Sequence, residues 1–179
     1  MANILTSRTT TVAFSQAAIL SVVGAITIAA LTQVRIPLWF TPVPITGQTF
    51  AVLLWPLLFG RKAGLGAVSI YLAAGMLGAP VFSGFTALSA LWGPTSGYLL
   101  GFLAAAAIMP TTDAPIGRIL LSIVGGTAII LASGGAVLGL FVGYENVWRM
   151  GIEPFVVGDV VKTIALLAST GIARWTAQN

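Results

Sequence analysis

Residues 155–173 read FVVGDVVKTIALLASTGIA, an apolar run interrupted by two charged side chains, Asp159 and Lys162. A charge inside a membrane span is costly unless it is paired or faces a polar cavity. Residues three positions apart lie on the same face of a helix, so the two side chains are predicted to lie close together. Two interpretations follow: the pair holds a small polar ligand, or it is a buried ion pair that braces the last helix.

The composition is that of an integral membrane protein. Of the 179 residues, 58% are hydrophobic and 7% are charged, whereas soluble domains carry roughly 25% charged residues. The net charge of +4 is attributed to a bias of basic residues in cytoplasmic loops and not to nucleic-acid binding. We expect one membrane domain over residues 1–179.

Several chemistries are excluded by the residues that the chain lacks. It contains no cysteine and no histidine, which excludes disulfides, zinc sites, thiol nucleophiles and histidine bases. No phosphate-binding loop of the G-x-x-x-x-G-K-S/T type occurs, so ATP hydrolysis in this chain is not expected. We predict no cofactor, no metal and no catalytic residue.

The hydropathy pattern predicts an all-α, polytopic membrane protein with six transmembrane helices. A helical span needs about 20 residues to cross the hydrocarbon core. The predicted spans are residues 12–34, 47–59, 63–77, 95–109, 119–142 and 155–173.

Two uncharged or weakly charged segments between the spans are irregular. The Pro-rich loop (residues 35–46) contains three prolines within eight residues, which forbids a continuous helix. It is interpreted as a lid over a binding cavity, or alternatively as an interfacial connector anchored by Trp39. The Gly/Ser-rich loop (residues 78–95) offers the hydroxyls of Ser83, Thr86 and Ser89, which either face a ligand or cap local turns.

The distribution of basic residues predicts the orientation. With both termini in the cytoplasm, five basic residues outside the spans lie inside and two lie outside, as the positive-inside rule requires. Both irregular loops and the Asp159–Lys162 end of the sixth span then lie on the external side. The protein is predicted to be a multi-pass protein of the cell membrane with one outward-facing cavity.

The residue types suggest the ligand chemistry. A carboxylate accepts N–H donors, and an ammonium holds a carboxylate or donates to a carbonyl. A small ligand with a urea-like group, an apolar body and a carboxylate would use both charges. Further candidate contacts are the polar side chains Gln48, Ser83, Thr86 and Tyr98 and the aromatic wall residues Trp39, Phe40, Phe82, Phe85 and Trp92.

Four motifs resemble those of a known family. They are IPLWFTPVPITGQT at residues 36–49, GAPVF at 78–82, GPTSGY at 93–98 and GDVVK at 158–162. Together they resemble the biotin-specific substrate-binding component (S component, BioY) of energy-coupling factor transporters.

This resemblance implies a six-helix membrane protein that binds biotin from outside. It implies docking on a transmembrane T component driven by two cytoplasmic ATPases, and release of biotin inwards. It carries Asp159 and Lys162 over as ligand-binding positions, and it suggests Ala13 and Ala17 of the first helix as contacts with the T component.

Other functions stay open at this point. The chain is alternatively a carrier for another small carboxylated vitamin, or a membrane-embedded enzyme with Asp159 as acid or base and Lys162 as its partner. A channel or structural subunit would use the pair only as a brace.

Overall fold

The computed structural model describes the backbone of residues 2–178 and the side chains of residues 15–178. Over this range the chain forms six α-helices and one two-stranded ribbon. Their bounds are α1 Ala2–Gln33, β1 Arg35–Ile36, β2 Ile45–Thr46, α2 Gln48–Phe59, α3 Arg61–Met76, α4 Ser96–Ile108, α5 Ile116–Val142 and α6 Glu153–Gln178. Each of the six predicted segments overlaps one of these helices, and the ribbon is a departure from the predicted all-α chain.

The helices differ in their ability to cross a bilayer. Three segments in the described part of the chain are long and apolar enough to span it: Ser15–Gln33, Ile116–Val142 and Trp148–Gln178. Helices α2, α3 and α4 have 12, 16 and 13 residues. At about 1.5 Å of rise per residue, these three helices are shorter than the roughly 30 Å of a hydrocarbon core.

The core lies where the helices meet. Helix α1 packs along α3, and α4 packs along α5. Tyr71, Phe82 and Phe102 are among the largest side chains that are fully buried there. Gly134 in α5 permits the close approach of α4, because a Cβ at this position would overlap the ring of Tyr98. Close packing through small residues is how helices associate without a hydrophobic driving force.

The outer faces are also apolar. Large hydrophobic side chains are exposed along the long helices, for example Ile26 on α1, Leu121 and Leu140 on α5, and Val157 and Ile172 on α6. Exposed apolar surface of this extent is unusual for a protein in water. These faces suit contact with lipid.

The Pro-rich loop is ordered and non-helical, as its prolines predict. Strands β1 and β2 close its base, with Arg35 opposite Thr46 and Ile36 opposite Ile45. Farther along, Thr41 Oγ1 donates to the carbonyl of Met150 at 2.7 Å, which ties the loop to the segment before α6.

Two of the other connections contain more structure than the sequence predicts. The Gly/Ser-rich loop includes a tight turn between Phe82 and Thr86 and a short 3-10 helix, Leu88–Trp92. Residues 143–154, interpreted from sequence as a loop, form a 3-10 turn and a π-helical turn, Trp148–Ile152, that leads into α6. Pro154 does not end this helix because it occupies the second position of α6, where its missing N–H has no intrahelical role.

Candidate ligand-binding site

One cavity of about 340 Å³ lies beneath the Pro-rich loop and the Gly/Ser-rich loop. Its walls come from both loops and from α2, α4, α5 and α6. This volume is at the lower end of the roughly 300–1,000 Å³ typical of small-molecule sites. The topology therefore gathers residues from most of the chain around one small space.

Asp159 and Lys162 lie in the wall of this cavity. Lys162 Nζ is 3.2 Å from Asp159 Oδ1, and the side chains of Lys162 and Asp159 are 18% and 14% exposed. Lys162 Nζ also donates to Thr49 Oγ1 on α2 at 2.7 Å. The predicted pairing across one turn of α6 is confirmed, and the pair faces a space large enough for a ligand.

A second polar group enters the cavity from the start of α2. Gln48 is buried, and its Nε2 donates to the hydroxyl of Tyr71 at 2.6 Å. That hydroxyl lies 3.3 Å from Thr32 Oγ1 on α1. Because Tyr71 holds it, the Gln48 amide has a fixed orientation in the cavity wall.

Ser83 contributes a buried hydroxyl that has no partner. Its Oγ is the single buried side-chain atom of this kind in residues 15–178 that lacks a hydrogen bond. Leaving a buried hydroxyl unsatisfied costs about 1–3 kcal/mol. Since Ser83 lines the cavity, a bound polar ligand is the natural partner for this atom.

The turn that carries Ser83 is held in place by its neighbours. Gly84 and Phe85 both have positive φ, +72° and +58°, and such backbone is uncommon for a bulky residue like Phe85. Gln33 at the end of α1 holds this turn, because its Nε2 donates to the carbonyl of Phe82 at 3.0 Å and its Oε1 accepts from the N–H of Phe85 at 3.3 Å.

Four aromatic rings contribute to the apolar part of the wall. They belong to Phe82, Tyr98, Phe102 and Phe155. Tyr98 and Phe155 are 6.1 Å apart between ring centroids, and the Tyr98 hydroxyl donates to the carbonyl of Gly151 at 2.9 Å. An apolar wall with a few fixed polar groups is typical of ligand pockets.

The structure brings together most of the predicted contacts. Asp159, Lys162, Gln48, Ser83, Thr86, Ser89, Tyr98 and Phe82 all line the cavity. Thr86 also donates through Oγ1 to the carbonyl of Ser83 at 3.1 Å, so its hydroxyl serves the local turn as well.

The remaining predicted aromatics lie elsewhere. Phe40 and Trp92 are not among the residues that line the cavity, nor are Trp39 and Phe85. Trp39 is 97% exposed and Trp92 is 79% exposed, and Trp39 and Phe40 face a separate hollow of about 580 Å³ beside Arg149 and Glu153. Exposed aromatics near helix ends are typical of the membrane interface.

The two alanines suggested as partner contacts are only partly covered by the structure. The side chain of Ala13 lies outside the described residues. Ala17 is partly exposed on α1, and its carbonyl accepts a 2.7 Å hydrogen bond from Ser21 Oγ. Their role stays a prediction.

Sequence reasoning did not predict several residues of the wall, among them Arg35, Thr49, Phe102 and Phe155. Phe155 could have been predicted from the sequence, because it precedes Asp159 by four positions and Lys162 by seven and therefore lies on the same face of a helix. Thr49 and Arg35 reach the cavity through contacts between segments distant in the chain, which no local pattern reveals.

Fold and site together define a multi-pass helical membrane protein with a small, mostly apolar ligand cavity. A family model described as the BioY family matches residues 5–178, which is nearly the whole chain. The chain belongs to the BioY family.

Individual relatives agree with this assignment. The chain is 39% identical over 136 residues to a probable biotin transporter BioY of Pyrococcus horikoshii, covering 74% of this chain and 83% of the relative. It is 37% identical over 134 residues to the biotin transporter BioY of Thermotoga maritima, covering 71% and 79%.

A solved structure shares the fold. The crystal structure of the S-component for biotin from an ECF-type ABC transporter superposes with a TM-score of 0.78. The match covers 92% of this chain and 93% of that chain, at 22% sequence identity.

Proposed function

We propose that this protein is the biotin-binding S component of a vitamin uptake transporter. It captures biotin from the external side of the cell membrane and delivers it to the cytoplasm without altering it. Membership of the BioY family and the names of its relatives support the ligand. The observation that carries the proposal is the Asp159–Lys162 pair in the wall of a ligand-sized cavity.

The chemistry of biotin suits this cavity. Its ureido ring presents two N–H donors and a carbonyl, and its thioether ring and aliphatic tail are apolar. Asp159 has carboxylate oxygens for an N–H, and Lys162 and Ser83 have donors for the carbonyl. The rings of Tyr98, Phe102 and Phe155 provide the apolar contact surface.

The proposed topology has six spans and cytoplasmic termini within one membrane domain. Five basic residues at the cytoplasmic side against two at the external side support this orientation. Helices α2, α3 and α4 are short for a full crossing, so we propose that local bilayer thinning and their packing against the long helices accommodate them.

Transport requires a partner that supplies energy. We propose a transmembrane T component and two cytoplasmic ATPase subunits, since the sequence contains no phosphate-binding loop of its own. Small residues on α1, Ala13 and Ala17, are the proposed contact with the T component.

Equilibrium binding of radiolabelled biotin to the purified protein, followed by mass spectrometry of the recovered ligand, tests the proposal. We expect saturable binding and unaltered biotin. A chemically changed product would indicate a membrane-embedded enzyme, and absence of saturable binding would indicate a channel or structural subunit. Stronger competition by another carboxylated vitamin than by biotin itself would redirect the proposal to that ligand.

A further inference from the structure

A third charged side chain, Arg35, lines the cavity together with Asp159 and Lys162. It lies in β1, opposite Thr46 of β2, at the base of the Pro-rich loop. Its guanidinium lies against Gly84 of the Gly/Ser-rich loop, where a Cβ would come within 2.6 Å of Arg35 Nη1. Arg35 is therefore placed where the two loops meet.

Arg35 has no carboxylate partner. The chain contains four acidic residues, all within the part whose side chains are described, and the ion pair found there joins Lys162 to Asp159. Two positive charges and one negative charge line the cavity. Since Lys162 and Asp159 offset each other, one positive charge remains for a ligand.

The three charges lie at different depths. The Asp159 and Lys162 side chains are 14% and 18% exposed, whereas Arg35 is an exposed residue. Lys162 also already donates to Asp159 and to Thr49. Arg35, which has no carboxylate partner, is thus at the mouth of the cavity, and Lys162, which is already hydrogen-bonded, lies deeper.

We propose that Arg35 binds the carboxylate of the bound vitamin at the mouth of the cavity, while the polar ring lies inward at Asp159 and Lys162. This proposal rests on the proposed function and adds the orientation of the bound ligand in the cavity. A guanidinium presents a planar fork of donors that matches a carboxylate in a bidentate arrangement. Arg35 then makes the site selective for an anionic ligand.

The test compares biotin with biotinamide, which has the same rings and tail but no negative charge. Each ligand is titrated into the full-length parent, Arg35→Met and Arg35→Lys. Arg149→Met serves as the matched control, because Arg149 is exposed and lies beside Trp39 and Phe40 of the Pro-rich loop but does not line this cavity.

We expect the parent to bind biotin about 10- to 100-fold more tightly than biotinamide, the range of a charge-assisted hydrogen-bonded pair. Arg35→Met is expected to lose most of this preference by weakening biotin binding alone, with biotinamide binding within about threefold of the parent. Arg35→Lys should fall between them, and Arg149→Met should retain the preference.

Other outcomes overturn the proposal. A parent without preference between the two ligands, or Arg35→Met weakened equally for both, would show that Arg35 does not read the carboxylate. Unchanged biotin binding in Arg35→Met would overturn it while leaving the proposed function intact. A parent that binds neither ligand would instead overturn the proposed function itself.

Discussion

The ammonium of Lys162 donates a 2.7 Å hydrogen bond to the hydroxyl of Thr49, which lies on α2, 113 positions earlier in the chain. This bond ties α6 to α2 at the cavity wall. It also holds the ammonium on the cavity side of α6, within reach of Asp159. The geometry of the charged pair therefore depends on a neighbouring helix as well as on its own.

Replacing Thr49 with valine keeps the shape of the side chain and removes the acceptor for Lys162. Hydrogen bonds to charged groups contribute about 1.5–3 kcal/mol, so we expect biotin affinity to fall about 10-fold. Isothermal titration calorimetry measures the change. Thr27→Val is the matched control, because the Thr27 hydroxyl donates only within α1, to the carbonyl of Val23; equal affinities of the Thr49 variant and the parent would contradict the role of this bond.

The Asp159–Lys162 pair also has a consequence for stability. Removing one partner leaves an uncompensated charge, which costs about 3–5 kcal/mol when fully buried. We expect about 1–3 kcal/mol here, because both side chains keep some exposure. The free energy of unfolding should fall for Asp159→Asn and for Lys162→Met. It is measured by adding a denaturing surfactant to the protein in detergent micelles. The double variant should be destabilised by less than the sum of the two, whereas additive losses would show that the groups do not interact.

Gly134 positions the aromatic wall. A Cβ at this residue would overlap the ring of Tyr98, whose hydroxyl donates to the carbonyl of Gly151. We expect Gly134→Ala to lower the free energy of unfolding by about 1–3 kcal/mol. Gly171→Ala is the control, since nothing lies within 4 Å of a Cβ there, and it should be neutral or stabilising by up to about 1 kcal/mol. Equal effects of both changes would refute the packing role.

The Pro-rich loop is predicted to act as a lid. Because the chain has no cysteine, Pro42→Cys provides one labelling site at an exposed position that lines the cavity. We expect saturating biotin to slow its reaction with a maleimide at least about fivefold. Tyr144→Cys, exposed and outside the cavity lining, should react at the same rate in both conditions. Equal reaction rates of Pro42→Cys with and without biotin would show that the Pro-rich loop does not act as a lid.

The sequence predicts the helices well, because their apolar runs are bounded by prolines, glycines and charges. Predicted segment 47–59 corresponds to α2, Gln48–Phe59, and predicted segment 95–109 corresponds to α4, Ser96–Ile108. The interpretation of residues 143–154 as a loop was wrong for most of this segment. Gly143 does end α5, but a 3-10 turn, Tyr144–Asn146, follows it directly. Pro154 resembles a helix breaker in the sequence, yet it lies in the first turn of α6.

The site is only partly readable from sequence. Asp159 and Lys162 stand out because charges are expensive in an apolar helix, and their three-residue spacing fixes their common face. Thr49 and Arg35 belong to other segments, so their proximity depends on tertiary packing. In the sequence, the wall aromatics Phe102 and Phe155 do not differ from other apolar residues of a span. Trp39 and Trp92 were predicted to line the cavity because they lie in irregular loops, but both are exposed outside it.

The most direct measurement is the equilibrium affinity of purified parent, Asp159→Asn and Lys162→Met for biotin. Asp113→Asn and Lys62→Met, which alter exposed residues outside the cavity, are the matched controls. Truncating one member of a buried charge pair costs about 2–5 kcal/mol of binding, so we expect both site variants to bind about 30-fold more weakly or worse. The two controls should match the parent. If Asp159→Asn and Lys162→Met bind biotin as tightly as the parent, the charged pair on α6 is a structural brace and not the ligand site.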